Sequence, residues 1–233
     1  MSTIGFADAL SHAGVKYLAA SPETMLAPGA PTGAVDAIAR NPHDSVAMAR
    51  GVVDATMDQH YRLGGMPYAP AAAFDVLDLA PTKIAAMEKA VGALDGALAD
   101  AAADPHLAAR IRNDAADVRG MVRFTEAPLP WHADRPAEAL YDAFARDTRL
   151  PEPVRRDALA AKAAVSDLVI AHRESSGFAP FGGADYSDAA GPTVHFATTQ
   201  SERDPWAPRI SETATGFYDA VGAAKLDRAL GTA

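Results

Sequence analysis

The first residue type to look for in a chain with scattered polar groups is a nucleophile, and the strongest one is missing: none of the 233 residues is cysteine. Thiolate nucleophiles, thiolate metal sites and disulfides within the chain are therefore excluded. Histidine occurs seven times, at His12, His43, His60, His106, His132, His172 and His195. None of these forms an HExxH or another close ligand pair, so the spacing offers no zinc site and the sequence assigns no metal ligand and no cofactor. His172 opens the segment HRESSG and so precedes Ser175 and Ser176. A serine nucleophile would want a G-x-S-x-G elbow and an oxyanion loop. Neither is present, and the segment reads as a strand running into a loop. His195 lies in an apolar strand pattern and reads as a residue of the core or sheet face. Asp78 ends a strand and reads as a cap for a helix starting near Pro81. Glu23, within SPETMLAPGAPTG, is either a solvated loop carboxylate or a group that binds a basic side chain. Trp131 and Trp206 sit in Pro-rich stretches, where an indole usually anchors a loop to the core.

These residues must be positioned by the elements around them. Residues 1–13 read as a helix with Ile4, Phe6 and Leu10 roughly on one face, stopped by Gly14. Residues 15–20 then read as a short buried strand. Residues 21–33 form a loop by their Pro and Gly density, and a strand running into such a loop is where an open α/β sheet places a binding crevice. A helix is predicted from Asn41 to Leu63, with Asp44 and Ser45 of capping type and Val46, Ala49, Val53 and Met57 at helical spacing. Residues 66–72 read as a linker. Residues 73–79 read as a second strand, with Phe74 and Val76 on one face and Asp75 and Leu77 on the other.

The clearest amphipathic helix spans Thr82 to Asp100, where Ile84, Met87, Val91, Leu94 and Leu98 make one stripe. Further helices are predicted over about 105–122, over Ala137 to Arg146 burying Leu140, Tyr141 and Phe144, and from Glu152 to about Ser166. Between them, residues 125–136 read as a long loop. Residues 168–172 and 192–197 are the remaining strands. The Ser/Gly/Asp-rich stretch 174–192 between them either borders a cleft or is a surface excursion. A helix carrying Phe217, Tyr218 and Val221 closes the chain. Strands alternating with helices argue for an α/β fold.

Composition limits what such a fold can bind. A hydrophobic content of 49% and a charged content of 22% suit a folded domain, one able to bury roughly 70–75% of its unfolded surface. The net charge is −9, and the only adjacent basic pair is Arg155-Arg156. Such a chain has few cations with which to displace the counterions of a duplex or to meet an anionic membrane, so neither nucleic acid nor membrane is an expected partner. No apolar stretch approaches the ~20 residues of a membrane span. The first residues, MSTIGFADALSHAGVKYLAAS, lack the basic and apolar regions of a signal peptide. Compartment is left open, because absence of cysteine suits either redox environment.

Several segments together resemble the clostripain family, cysteine peptidases of the caspase-like clan. In that family the nucleophile lies in a segment like Asp-x-Cys-Leu-Met at the end of a core strand, followed by a helix, a strand with a Ser/Glu turn, and a Pro-Gly loop. Here Met1-Ser2-Thr3 is similar to the residues just past that cysteine. Phe6-Ala7-Asp8-Ala9-Leu10 resembles the helix, Lys16-Tyr17-Leu18-Ala19-Ala20-Ser21-Pro22-Glu23 the strand and turn, and Ala27-Pro28-Gly29 the loop. Residues 73–79 resemble the family's strand ending in Asp-Leu, Leu140-Tyr141-Asp142-Ala143-Phe144-Ala145 a later helical motif, and Gly191-Pro192-Thr193-Val194-His195-Phe196 a Gly-Leu-Ser-Ile-Tyr-Phe strand.

The resemblance implies a single domain over residues 1–233. Its fold would be a caspase-like three-layer α/β fold, truncated at its N-terminal side so that part of a parallel central sheet is missing. It implies a peptide or protein substrate in the parent enzyme, with Ser21, Glu23, Pro28 and Gly29 lining the pocket and no catalytic residue in this chain. Family members often cut after Arg or Lys, and an acidic residue after Pro28-Gly29 would have been the stronger sign of that; Ala30-Pro31 stands there instead. The alternative is a degenerate clan member that binds a partner, self-associating through an exposed sheet edge. A weaker reading is an unrelated alanine-rich α/β domain.

Overall fold

The structure, a computed structural model, describes residues 3–21, 32–58, 61–63, 66–68, 72–118, 134–175, 190–199 and 216–231. The chain begins with α1 (Ile4–His12), whose N-terminus is capped by Thr3 through a bond from the Phe6 amide to its hydroxyl. The helix stops at Gly14, held at φ +85, a left-handed conformation that glycine adopts without a Cβ penalty. Next come β1 (Tyr17–Ala20), α2 (Thr32–Arg40) and α3 (Ser45–Met57). Asp44 caps α3 by accepting the amides of Val46 and Ala47.

Two departures from the sequence reading occur here. No helix was expected over α2, although Ala34 and Ala37 are its buried residues and Gly51 of α3 packs opposite Ala37. Helix was expected to Leu63, yet α3 ends at Met57 and the chain turns into β2 (Tyr61–Leu63), which pairs antiparallel with β3 (Met66–Tyr68) inside the expected linker. Tyr-Arg-Leu and Met-Pro-Tyr flanking Gly64-Gly65 make a two-residue hairpin pattern, which outweighs the helical spacing upstream.

The central strand is β4 (Ala72–Asp78), followed by α4 (Pro81–Ala101), α5 (Pro105–Asp117), β5 (Asp134–Pro136), α6 (Ala137–Arg146), α7 (Glu152–Ser166), β6 (Val169–Ser175), β7 (Thr193–His195), α8 (Phe217–Val221) and α9 (Ala223–Leu230). The stripe of α4 is buried as its spacing requires: Ile84, Met87, Val91, Leu94 and Leu98 all face the core. They meet Leu140, Phe144, Val154, Val165 and Phe217 in one cluster that also takes in Ile4, Leu77 and Leu79. Residues 134–136, expected in a loop, pair with β7 instead. The buried Arg135 ties that pair to the core by donating to the carbonyls of Phe196 and Val118.

The strands β1, β4 and β6 form a three-stranded sheet in that order. The two segments expected to be neighbours, 15–20 and 73–79, therefore lie side by side. Both pairings are antiparallel, whereas the sequence reading took the central sheet as parallel. A parallel pair needs a crossover that returns the chain to its starting end. Among the described residues α2, α3 and the β2–β3 pair lie between β1 and β4, and α4 to α7 with β5 between β4 and β6, and each connection re-enters the sheet at the end where the preceding strand finished. On one face of the sheet Phe74 and Val76 pack with Ala49 and Val53 of α3. On the other, Leu77 and Leu18 join the main cluster.

Two carboxyl groups within the helical packing are pushed up to about 6. Burial raises Asp8 of α1, with the neighbouring Glu88 adding to it and His12, 3.2 Å away, opposing it. Burial likewise raises Asp114 of α5, reinforced by Asp147 and opposed by Arg110. A carboxyl whose value is higher folded than unfolded binds more protons in the native state, so both groups make stability fall as pH rises from about 4 through about 6. Melting temperature measured across that interval is expected to decline with pH, and Asp8→Asn is expected to flatten the decline. An unchanged slope in the variant would mean that Asp8 does not titrate there.

Candidate functional site

The antiparallel registers set the end of β1 beside the middle of β4 and of β6, where Ala20 pairs with Asp75, and Asp75 with His172. Side chains of directly opposed residues share a face, so Asp75 and His172 project together away from α3. Asp75 has no solvent exposure. Its Oδ1 lies 2.7 Å from His172 Nδ1 and accepts the Gly191 amide at 3.2 Å. The other ring nitrogen, Nε2, lies 3.3 Å from Glu174 Oε2. The His172 side chain keeps 21% of its surface exposed. The hydrogen bond to Asp75 lifts the His172 pKa above the ordinary imidazole value, against the opposing effect of burial, and Glu174 adds to the rise.

A bulge in β6 sets this geometry. Val76 pairs with Ala171 and Leu77 with Val169, which leaves Ile170 as the extra residue. Ile170 and Ala171 both pack beside the cluster under α3, while Val169 joins the main core. Bulges re-aim side chains in this way. Gly191 has φ +77, and a Cβ there would come within 3.3 Å of Glu138 Oε1 and 3.4 Å of Val169 Cγ2. Glycine thus lets the backbone approach Asp75. On the opposite face Arg173 binds Asp54 at 3.1 Å and Asp58 at 2.9 Å, fastening β6 to α3.

Of the pocket residues expected from the sequence, Ser21 is described and is buried directly after β1, one residue past the partner of Asp75. Glu23, Pro28 and Gly29 lie outside the described residues. Asp78, expected as a cap, accepts the Ala80 amide at 3.1 Å and meets Lys83 at 3.3 Å, so it leads the chain into α4 without being the capping residue itself, which is Ala80. His195 is the packed histidine expected of its strand, 3.2 Å from Asp134 with both side chains nearly inaccessible. The small cavity beside it, about 30 Å³ and bordered by Phe196, Tyr218 and Asp227, is the size of a water site. Among the described residues no three His, Asp or Glu side chains are grouped to hold a metal ion, and no helix is long and apolar enough to cross a membrane.

The Asp75–His172 pair was not predicted. Its signal was available: an aspartate inside Ala73-Phe74-Asp75-Val76-Leu77 had to be buried, and a buried carboxylate requires a partner. What the sequence did not supply was which of seven histidines would provide it.

No protein-family model matches the chain, and neither does any curated protein. Among solved structures the chain is similar to one described as a B. fragilis cysteine protease, at 15% identity and a TM-score of 0.59, over 97% of this chain and 84% of that one. The fold is therefore a mixed α/β fold like that of a cysteine protease.

Removing the Asp75 carboxylate strands the His172 ring and the Gly191 amide together. Asp75→Ala is expected to lower the unfolding free energy by about 3 kcal/mol, the scale for breaking a buried pair. Glu174→Gln, at an exposed position, is expected to cost under about 1 kcal/mol. Urea unfolding of the two variants checks this, and equal costs would mean that the buried contact carries no special weight.

Proposed function

We propose that this chain is the carboxy-terminal portion of a clostripain-like cysteine endopeptidase. In this reading it contributes the substrate-pocket loop and half of a caspase-like three-layer fold, and does not cleave peptide bonds by itself. The observation that carries the reading is a likeness to a cysteine protease over 97% of a chain that contains no cysteine. In a thiol peptidase the attacking group must be a thiolate held within reach of an imidazole. A chain without one keeps only the binding half of that chemistry. The position of Ser21 directly after β1, one residue past the partner of Asp75, supports its place in the pocket, with Glu23, Pro28 and Gly29 following it in sequence.

The purified chain is expected to release no fluorophore above buffer from peptides ending in Arg, Lys or apolar residues, with or without iodoacetamide. Turnover insensitive to alkylation would overturn the reading. In-frame coding sequence upstream of Met1 that carries an Asp-x-Cys-Leu segment, preceded by a His-Gly segment, would support its placement in a longer peptidase.

A second reading, a non-catalytic clan member that associates through its sheet, is favoured by one feature. Among the described residues no strand pairs with the outer edge of β1 or of β6, and all four residues of β1 are partly exposed. Unpaired strand edges are templates for pairing with another chain. Light scattering after size exclusion is expected to show a dimer in this case, and a monomer at every concentration would exclude self-association.

A further inference from the structure

The imidazole of His172 is held between two carboxylates of unlike kind. Asp75 is wholly buried and fixed in the middle of β4, while Glu174 is an exposed residue two positions along the same strand as the ring. We propose that Asp75, His172 and Glu174 form a proton-operated switch beside the end of β1, closed while the ring carries two protons and offering Nε2 as an acceptor once it carries one.

With both nitrogens protonated, the ring donates to Asp75 at 2.7 Å and to Glu174 at 3.3 Å, and all three side chains are satisfied. When one proton leaves, the two sites are unequal. A proton on Nδ1 keeps the 2.7 Å bond to Asp75, which has no solvent exposure with which to replace it, whereas the exposed Glu174 can exchange its bond for water. The proton therefore departs from Nε2. A lone pair then faces the Glu174 carboxylate, two acceptors with no hydrogen between them. Glu174 can return to water at little cost because it is exposed. Nε2 of the partly exposed ring is then an acceptor, able to take a hydroxyl, thiol or amide hydrogen from a ligand or a proton as a general base, with Asp75 as the positioning residue. The arrangement needs no assumption about peptidase ancestry, so it stands or falls apart from the proposed function.

Among the described residues, the groups facing the ring from the neighbouring elements are few. On this face β1 presents the uncharged Ala20 opposite Asp75, and the segment ahead of β7 presents the Gly191 amide. Helix α6 contributes Glu138, whose Oε1 lies beside Gly191. The charges of Arg173, Asp54 and Asp58 belong to the opposite face. The folded-state pKa of His172 is raised, so the stabilisation from its second proton is complete below the unfolded value of 6.5 and is lost as pH rises through the folded value.

Two-bond proton–nitrogen spectra of the ¹⁵N-labelled chain from about pH 5 to about pH 9 read both the proton count and the tautomer of His172. The expected result is titration above 6.5 and a neutral ring protonated on Nδ1. Glu174→Gln, which leaves the core untouched, is expected to lower the midpoint by about half a pH unit, and Asp75→Asn to lower it further where that variant folds. A neutral ring protonated on Nε2 would overturn the switch. So would a midpoint that Glu174→Gln does not move.

Discussion

A carboxylate without solvent exposure sits in the middle of the central strand, and satisfying it constrains much of what surrounds it. Asp75 takes one partner from the neighbouring strand and one from the backbone ahead of β7. The first requires β6 to lie in a single register, because a slip of one residue would carry His172 to the face packed on α3. The second requires a backbone approach that glycine at 191 permits. Asp75 thus adds side-chain bonds to the backbone ladder between β4 and β6 and ties the segment entering β7 to both.

The apolar packing is unequal on the two faces of the sheet. One face meets a large cluster built around α4, α6 and α7, and the other a small one under α3 made mostly of Ala and Val. Small side chains bring α3 close to the strands and α2 close to α3, where a Cβ on Gly51 would come within 2.7 Å of the Ala37 Cβ. The thin layer is also held by charge, through Arg173 to Asp54 and Asp58 and through Arg50 to the carbonyl of Ile170. The thick layer has ion pairs between helices too, Lys162 to Asp142 and Lys225 to Asp100, and it also buries carboxyl groups, Asp8 beside Glu88 and Asp114 beside Asp147.

The likeness to a cysteine protease is a statement about how strands and helices are arranged. A fold can persist after its reactive group is gone, because the group contributes little to the packing that defines the fold. The absence of cysteine and the likeness in fold are therefore compatible.

Helix positions were legible in the sequence wherever an apolar stripe ran along one face for two turns or more. Those of α4, α6 and α7 follow from spacing alone, since burying one stripe is a local requirement that each helix meets by itself. The strand at 73–79 and its two unlike faces were legible for the same reason. The short pieces β2, β3 and β5 were not, because a three-residue strand exists only through its partner, and α2 is held by contacts with α3. Strand direction, the bulge at Ile170 and the pairing of Asp75 with His172 were likewise decided only by the tertiary structure. Simple alternation would place Ile170 and His172 on one face, and the extra residue separates them. Composition fixed which groups this chain can bring to a site; which of them meet depended on register, which is set by long-range pairing that no local pattern encodes.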